Sequence, residues 1–367
     1  MVIAGLMSGS SLDGLDLAIC EFSKADGKIN WKLKAHTTVA FSEHLLSRLK
    51  MATSLSAKEL VSLDHEFATY CAKSIVEYAT GQELTLDYIA SHGHTVFHEP
   101  VDGYTLQIGN GGVIAAISEI PTISDFRTND VALGGQGAPI VPIVEHYLFP
   151  GITYFLNLGG IANISIHGQS IVAYDICPCN QVLNRLASHE GLAYDKDGEM
   201  ATAGTVSQGL LSRLKGIPYF ATSPPKSLDN TWVQTEFYQF IEEAGLATVD
   251  ALATMTSFIA AQVKEAVIIN EIGASEPVKL MITGGGAYNS FLMKCITEGL
   301  PENITVLSVD SAIIEAKEAI LMALMGYLRV NGIANTFPSV TGALQATCGG
   351  ALYIPVENGL TPKSIIK

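Results

Sequence analysis

Basic residues are few in this 367-residue chain: 21 Lys+Arg stand against 36 Asp+Glu, a formal charge of −15. Such a surface repels phosphate backbones, which argues against nucleic acid as a partner while leaving room for a local basic pocket. Charge of either sign is sparse, 16% against 48% hydrophobic residues, a balance that excludes a disordered chain and predicts a compact globular one. Long apolar runs are missing too. No segment reaches the roughly 18–20 uninterrupted apolar residues of a membrane span. The most apolar late stretch, 311–328, is broken by Glu315, Lys317 and Glu318. The chain opens without a basic region before an apolar run and without a small-residue cleavage site, so no signal peptide and no membrane partner are expected, and the default location is cytoplasmic. Six cysteines are too sparse for a disulfide scaffold. Cys177 and Cys179 have no second pair at zinc spacing, which disfavours a structural metal.

What is present exceeds the roughly 250–300 residues at which a single core stops growing, so two domains are expected. Residues 2–7, 15–22 and 31–40 read as three strands in hairpin succession, and 57–80 as a helix with the apolar stripe Leu60, Leu63, Phe67, Cys71, Ile75 and Tyr78. "DYIASHGHTV" reads as a short buried strand ending in a polar loop and "PTISDF" as another strand. A second series opens at 153 with "TYFLNLGGIANISIHG" and "SIVAYDICP", again strand, glycine turn, strand, strand. Helices are expected near 180–190, 205–215, 231–244 and 249–272, then the strand "VKLMIT", the turn "GGGAYN", and helices from 289 and over 312–331. The repeated order predicts a duplicated mixed α/β domain with a ligand cleft between the copies. The Gly/Pro-dense run 134–142, "GGQGAPIVP", is the expected interdomain crossing.

Three glycine turns follow buried strands. In "GLMSGSSLDGLD" (5–16), Gly5, Gly9 and Gly14 give backbone access and Ser8, Ser10 and Ser11 add hydroxyls, as an anion cradle requires; an ordinary hairpin turn explains the same residues. It is not a P-loop, since no Gly-Lys-Ser/Thr follows. "NLGGIANIS" (157–165) offers a second cradle with Gly159, Gly160 and Asn163. "TGGGAYN" (283–289) opens a helix after a strand, a place for a nucleotide against backbone, without the G-x-G-x-x-G spacing of a dinucleotide fold. Asp175 ends an apolar strand, where it suits a general base or the N-cap of the helix near Asn180. Arg127 in "SDFRTND" is a fork for carboxylate or phosphate, or an ion-pair partner of Asp125 or Asp130. His92, His94 and His98 sit close enough for a hydrolase metal site, yet no matching ligands lie downstream, and contacts to substrate or backbone ask for less.

In this order the motifs resemble the anhydro-N-acetylmuramic acid kinases of the actin-like, hexokinase-like ATPase superfamily along the whole chain. "SHGHTVFHEP" is similar to the family's Ser-His-Gly-Gln-Thr segment, with His94 in the glutamine position. "SDFRTNDVALGGQGAPIVP", "NLGGIANIS", "YDKDG", "PPKS", "GGGAYN" and "PSVTGA" match in sequence order. Two family glycines are replaced by Cys177 and Cys179, which keeps open a kinase of another sugar or a silent nucleotide- or sugar-binding regulator. The resemblance implies two ribonuclease-H-like α/β domains with mixed sheets flanking an interdomain active-site cleft, domain I at 1–140 plus 315–367 and domain II at 141–314. It implies ATP with Mg²⁺, phosphorylation of an amino sugar after opening of its 1,6-anhydro ring, and a homodimer. It places Asp175 as catalytic base. Gly9, Ser10, Ser11, Leu12, Asp13, Gly14, Asp16, Gly159, Gly160 and Asn163 fall to the phosphates, and Gly284, Gly285, Gly286 and Asn289 to the adenosine side. His92, Arg127, Gln136, Asn180 and Glu315 fall to the sugar; no metal-holding residue is assigned.

Overall fold

The computed structural model describes residues 1–9, 12–224, 226–269, 278–307 and 309–355. The chain divides into two units, Met1–Phe149 with Glu315–Lys367, and Pro150–Ile314. In the first, β1 (Val2–Ser8), β2 (Leu15–Ala25) and β3 (Lys28–Val39) pair antiparallel, as short hairpin turns allow. β4 (Tyr88–Glu99) then lies parallel to β1, and β6 (Thr122–Ser124) parallel to β4. Parallel neighbours need crossovers, supplied by the helices Ala57–Gly81 and Gly111–Ser118. β5 (Tyr104–Ile108) hangs on β4, and β12 (Ala351–Tyr353) closes the far edge.

The second unit repeats the plan. β7 (Tyr154–Leu158), β8 (Ile161–His167) and β9 (Ile171–Pro178) are antiparallel, while β10 (Val278–Thr283) and β11 (Ile304–Leu307) add in parallel, giving the order β11-β10-β7-β8-β9. Leaving aside β5 and β12, both sheets run 3-2-1-4-5, so the duplication expected from the two hairpins is present in the topology.

Local chemistry explains the framing elements. Ser56 and Glu59 form a reciprocal capping box at the start of helix Ala57–Gly81, whose stripe Leu63, Phe67, Cys71 and Ile75 is fully buried. Helix Thr248–Ile269 is apolar enough by length and composition to cross a bilayer, but 72% of that stretch is buried in the core of its unit, where Leu252, Met255, Phe258, Ile259 and Val263 have no exposure. Helix Ser311–Val330 lies on the first sheet at backbone distance: a Cβ on Gly5 of β1 would run into the backbone of Ala319 and Ala323.

Three expectations change. "SHGHTVFHEP" is not a polar loop: β4 runs through His98 to Glu99, because the alternating "YTLQI" of β5 gives it a partner. The run 134–142 is not the interdomain crossing. Gln136 N–H donates to Thr341 O, Gly137 N–H donates to the buried Asp130, and both partners belong to the first unit. The helix Pro142–Leu148 also stays with that unit, where Trp31 Nε1 donates to Leu148 O, so the division falls after Phe149 and not after residue 140. The expected helix 231–244 contains a π-helical turn, Val233–Phe237. The last residues of the expected helix 249–272 lie outside the described residues.

Candidate active site

In the first unit the β1–β2 turn is closed by the Leu12 N–H donating to Gly9 O at 3.3 Å, with Leu12 at φ +59. Ser10 and Ser11 lie outside the described residues. Gly14 answers to packing, since a Cβ there would meet the Thr38 side chain and Val39 O. Asp13 is exposed, and Asp16, paired with Thr38 on β3, accepts the Thr38 hydroxyl at 2.6 Å. Burial holds the Asp16 carboxyl above its usual range, Asp13's charge adds to this, and the Thr38 bond opposes it. Glu318 is raised in the same way, by its surroundings first and by Asp16 second, although the residue as a whole stays open to solvent.

Each of the three β4 histidines makes its own hydrogen bond. Ser8 Oγ and His94 Nδ1 lie 3.1 Å apart, and His98 Nδ1 is 3.0 Å from Thr105 Oγ1. Arg127 Nε donates to His92 Nε2 at 2.8 Å, and His92 Nδ1 lies 3.0 Å from Gly93 O, which fixes the neutral tautomer with its proton on Nδ1. Burial first, and then the Arg127 charge, push the His92 pKa down to about 3. With both ring nitrogens engaged, His92 positions Arg127 and is not available as a metal ligand. Arg127 NH1 donates to Gly137 O at 2.6 Å, while Asp130 accepts from Gly137 N–H and the Thr341 hydroxyl, so the anticipated Arg127–Asp130 ion pair is absent among the described residues. Arg127 remains a half-buried cation, its pKa lowered to about 10 by burial. Gln136 exposes its side chain and Glu315 stands exposed on helix Ser311–Val330 one turn before Glu318.

In the second unit, register places four polar residues in one row: Thr283 beside Asn157, Asn157 beside Asn163, and Asn163 beside Asp175. Directly paired residues project to the same face, so the row presents one hydroxyl, two amides and a carboxylate together. Asn163 is therefore a strand residue next to Asp175 and not part of the Gly159–Gly160 turn, a correction that follows from β8 beginning at Ile161. The register shift between Ala162 and Asn163 leaves Ile176 as an extra residue of β9, a bulge that re-aims Asp175.

Asp175 is not a helix cap: the N-cap of helix Asn180–Ser188 is Cys179. Asp175 Oδ2 accepts the Leu228 N–H at 2.9 Å, its own N–H donates to Lys226 O, and Tyr219 Oη donates to its carbonyl at 2.7 Å. Oδ1 takes no hydrogen bond from the described residues. Burial raises the Asp175 pKa against the opposing Leu228 bond, the state of a carboxylate that accepts a proton more readily than an exposed one. Within "PPKS", Pro225 lies outside the described residues. Cys177 and Cys179 are fully buried with thiols pushed up by burial, that of Cys179 to about 12, and neither has a positive φ.

The carbonyls of Gly159 and Gly160 accept the first N–H groups of the helix at Asn180, from Cys179, Asn180 and Gln181. This turn abuts the 284–286 turn. Gly284 has φ +87, and a Cβ there would come within 2.6 Å of Asn157 Oδ1 and 2.7 Å of the Leu158 backbone, so only glycine fits. Beside it opens a cavity of about 560 Å³ lined by Asn180, Asn184, Thr256, Gly285, Tyr288 and Asn289 together with residues 194–197. Asn180 lies in this wall, its Nδ2 donating to Leu158 O, whereas a contact with the sugar had been expected of it. Asn289 Oδ1 caps helix Ser290–Gly299, and the Asp195 carboxylate accepts the Met200 and Ala201 N–H groups in the first turn of the short helix Glu199–Ala203.

The family model for anhydro-N-acetylmuramic acid kinase matches residues 1–355. The chain belongs to the anhydro-N-acetylmuramic acid kinase family. Its relatives include the anhydro-N-acetylmuramic acid kinase of Aliivibrio fischeri, 34% identical over 366 residues covering 95% of this chain and 98% of the relative. That of Paramagnetospirillum magneticum is 32% identical, covering 97% and 100%. Among solved structures, the activator of 2-hydroxyisocaproyl-CoA dehydratase from Clostridium difficile with bound ADPNP aligns at TM-score 0.41 and 14% identity, over 90% of this chain and 97% of that one. The ROK hexokinase of Thermus thermophilus aligns at 0.38 and 13%, over 89% and 100%. These two likenesses are too distant to bear on the site.

For this anhydro-N-acetylmuramic acid kinase family member, the structure gathers Asp175, Asn163, Gly159, Gly160, Gly284, Gly285, Gly286, Asn180 and Asn289 in the second unit. Gly9, Leu12, Asp13, Gly14, Asp16, His92, Arg127, Gln136 and Glu315 belong to the first. Asn157 and Thr256 escaped the sequence reading. Asn157 stood in a quoted motif, and its row position was the missing signal; Thr256 sits in a plain apolar helix and gave none.

Proposed function

We infer that this chain uses ATP and water to convert 1,6-anhydro-N-acetylmuramic acid into N-acetylmuramic acid 6-phosphate, a step of cell-wall sugar recycling. The observation that carries the reading is Asp175: family membership over residues 1–355 coincides with a carboxylate whose Oδ2 is held by Leu228 N–H and whose Oδ1 takes no hydrogen bond from the described residues. Oδ1 takes a proton from water as the water oxygen bonds to the anomeric carbon and the bond from that carbon to O6 breaks. The O6 so released bonds to the γ-phosphorus of ATP, and ADP leaves. Asn163 and Asn157, beside Asp175 in the row, are amide partners for the water or sugar hydroxyls.

Asp13, in the β1–β2 turn, and Asp16, at the start of β2, suit a hard divalent cation: both donate oxygens, and the upward shift of Asp16, caused by burial first and by Asp13 in part, would be relieved by a positive ion. Mg²⁺ held there would supply charge neutralisation for the phosphates. Gly284–Gly286 and the 560 Å³ cavity take the nucleoside end of ATP. Arg127, held by His92 and Gly137, takes an anionic group of the sugar.

The cysteines that suggested another sugar have no exposure and so offer no contact to a sugar, which speaks against that alternative. All six cysteines are free, in keeping with a cytoplasmic site of action. A homodimer rests on family resemblance and is checked by light scattering. Incubation with MgATP and the anhydro sugar decides the function: ADP and the 6-phosphosugar form in equal amounts, and absence of both refutes it.

A further inference from the structure

Three residues, Tyr219, Lys226 and Leu228, hold every polar group of Asp175 but one. The Asp175 N–H donates to Lys226 O at 3.2 Å, its carbonyl accepts the Tyr219 hydroxyl at 2.7 Å, and Oδ2 accepts the Leu228 N–H at 2.9 Å, while Oδ1 takes no hydrogen bond from the described residues. β9 is the last strand of its sheet, so at Asp175 these residues cover an edge that would otherwise meet water. The Tyr219 contact does more than cover. It falls on the peptide that joins Asp175 to Ile176, the extra residue of the β9 bulge, and at a bulge the regular ladder no longer pins the strand. The tyrosine is itself held: Lys226 Nζ lies 4.8 Å from the centre of its ring and donates to its carbonyl at 3.3 Å, and the Trp232 ring lies 6.3 Å away. Burial first, and then the Asp175 charge, push the Tyr219 hydroxyl up, so it stays a donor at neutral pH. Lys226 thereby gives the "PPKS" motif a task, its carbonyl meeting the Asp175 N–H and its ammonium the tyrosine.

We propose that Tyr219 is a positioning residue for the reaction, its hydroxyl fixing the bulged peptide so that Asp175 Oδ1 keeps its aim. This rests on the reading of Asp175 as the base, and the test separates the two. The full chain is assayed with MgATP and the anhydro sugar for kcat, KM and the pH profile of kcat/KM, as the parent, as Tyr219→Phe, as Asp175→Asn and as the double variant of both. Phe keeps the ring that Lys226 covers and removes only the hydroxyl.

Tyr219→Phe is expected to lower kcat about tenfold with KM for the sugar within about twofold, since the hydrogen bond it loses aims the base and binds no substrate. Burial, opposed by the Leu228 bond, sets the Asp175 pKa, so a loosened carboxylate meets more water and the rising limb of kcat/KM moves down toward the ordinary 3.8. Beside Asp175→Asn the tyrosine hydroxyl has no base to aim, and its removal costs less than about twofold. An unchanged kcat or an unmoved limb in Tyr219→Phe overturns the proposal, because a tether that only covers the sheet edge would lower the melting temperature alone. So does a tenfold loss that persists in the double variant. A kcat for Asp175→Asn within about threefold of the parent overturns the reading of Asp175 as the base.

Discussion

Replacing Asp175 with asparagine tests the chemistry most directly. In Asp175→Asn the new amide oxygen remains an acceptor for Leu228 N–H, so the strap from Lys226 to Leu228 stays in place. The other half of the group changes from an acceptor into an NH₂ donor where Oδ1 has no protein partner. A general base contributes about 10²–10⁴ in rate, so kcat should fall by that factor, about 3–5 kcal/mol on the barrier. Stability should hold or rise slightly, because burial already disfavours the charged carboxylate and a neutral amide removes that cost. ADP affinity, set elsewhere in the unit, should be unchanged. In the parent, kcat/KM should rise with pH through an apparent value above the ordinary 3.8 and then level, and the variant should lack that rise. The assay couples ADP release to a spectrophotometric readout across pH, with ADP affinity and melting temperature measured alongside. A variant kcat within about threefold of the parent, or an ADP affinity that falls as far as kcat, refutes Asp175 as the base.

The His92 imidazole, folded pKa about 3 against an ordinary 6.5, stabilises the fold fully above pH 6.5, and that contribution is lost as pH falls toward 3, where the unfolded chain binds the extra proton. His92→Gln should flatten the pH dependence of urea stability in that window by up to about 1.4 kcal/mol per pH unit; an unchanged slope contradicts the assignment. Lys317 Nζ donates to Glu145 at 3.1 Å with side chains only 10% and 3% exposed. Lys317→Met should cost about 3–5 kcal/mol by leaving a buried charge, and the double variant with Glu145→Gln should recover part of it; additive losses in the cycle exclude the coupling. Gly5→Val should lose about 3 kcal/mol or fail to fold, because its side chain meets the Ala319 backbone, whereas tolerance of Val would place that helix farther from β1.

Much of this protein was legible in the chain itself. Period-two apolar runs and glycine punctuation located both hairpins, and their repetition at 153 foretold two sheets of one topology, because short turns can only join antiparallel strands. The motif order located Asp175, both second-unit glycine turns and the Arg127 segment. Local pattern does not encode which strand lies beside which, so the row Thr283–Asn157–Asn163–Asp175, assembled from strands far apart in the chain, had to come from register.

The opening stretch shows the division most clearly. Its sequence announced glycines at 5, 9 and 14 and left their purpose open. Tertiary packing decided that Gly5 admits helix Ser311–Val330 and Gly14 admits β3, leaving Gly9, Leu12 and Asp13 to the turn itself and Asp16 to the start of β2. The histidines of β4 divide the same way: sequence put three of them near one another, and only packing determined that His92 has both ring nitrogens engaged while His94 and His98 turn Nδ1 to Ser8 and Thr105. Composition and period fix what each segment must bury, but which polar atoms remain free for a ligand depends on neighbours supplied from elsewhere in the chain.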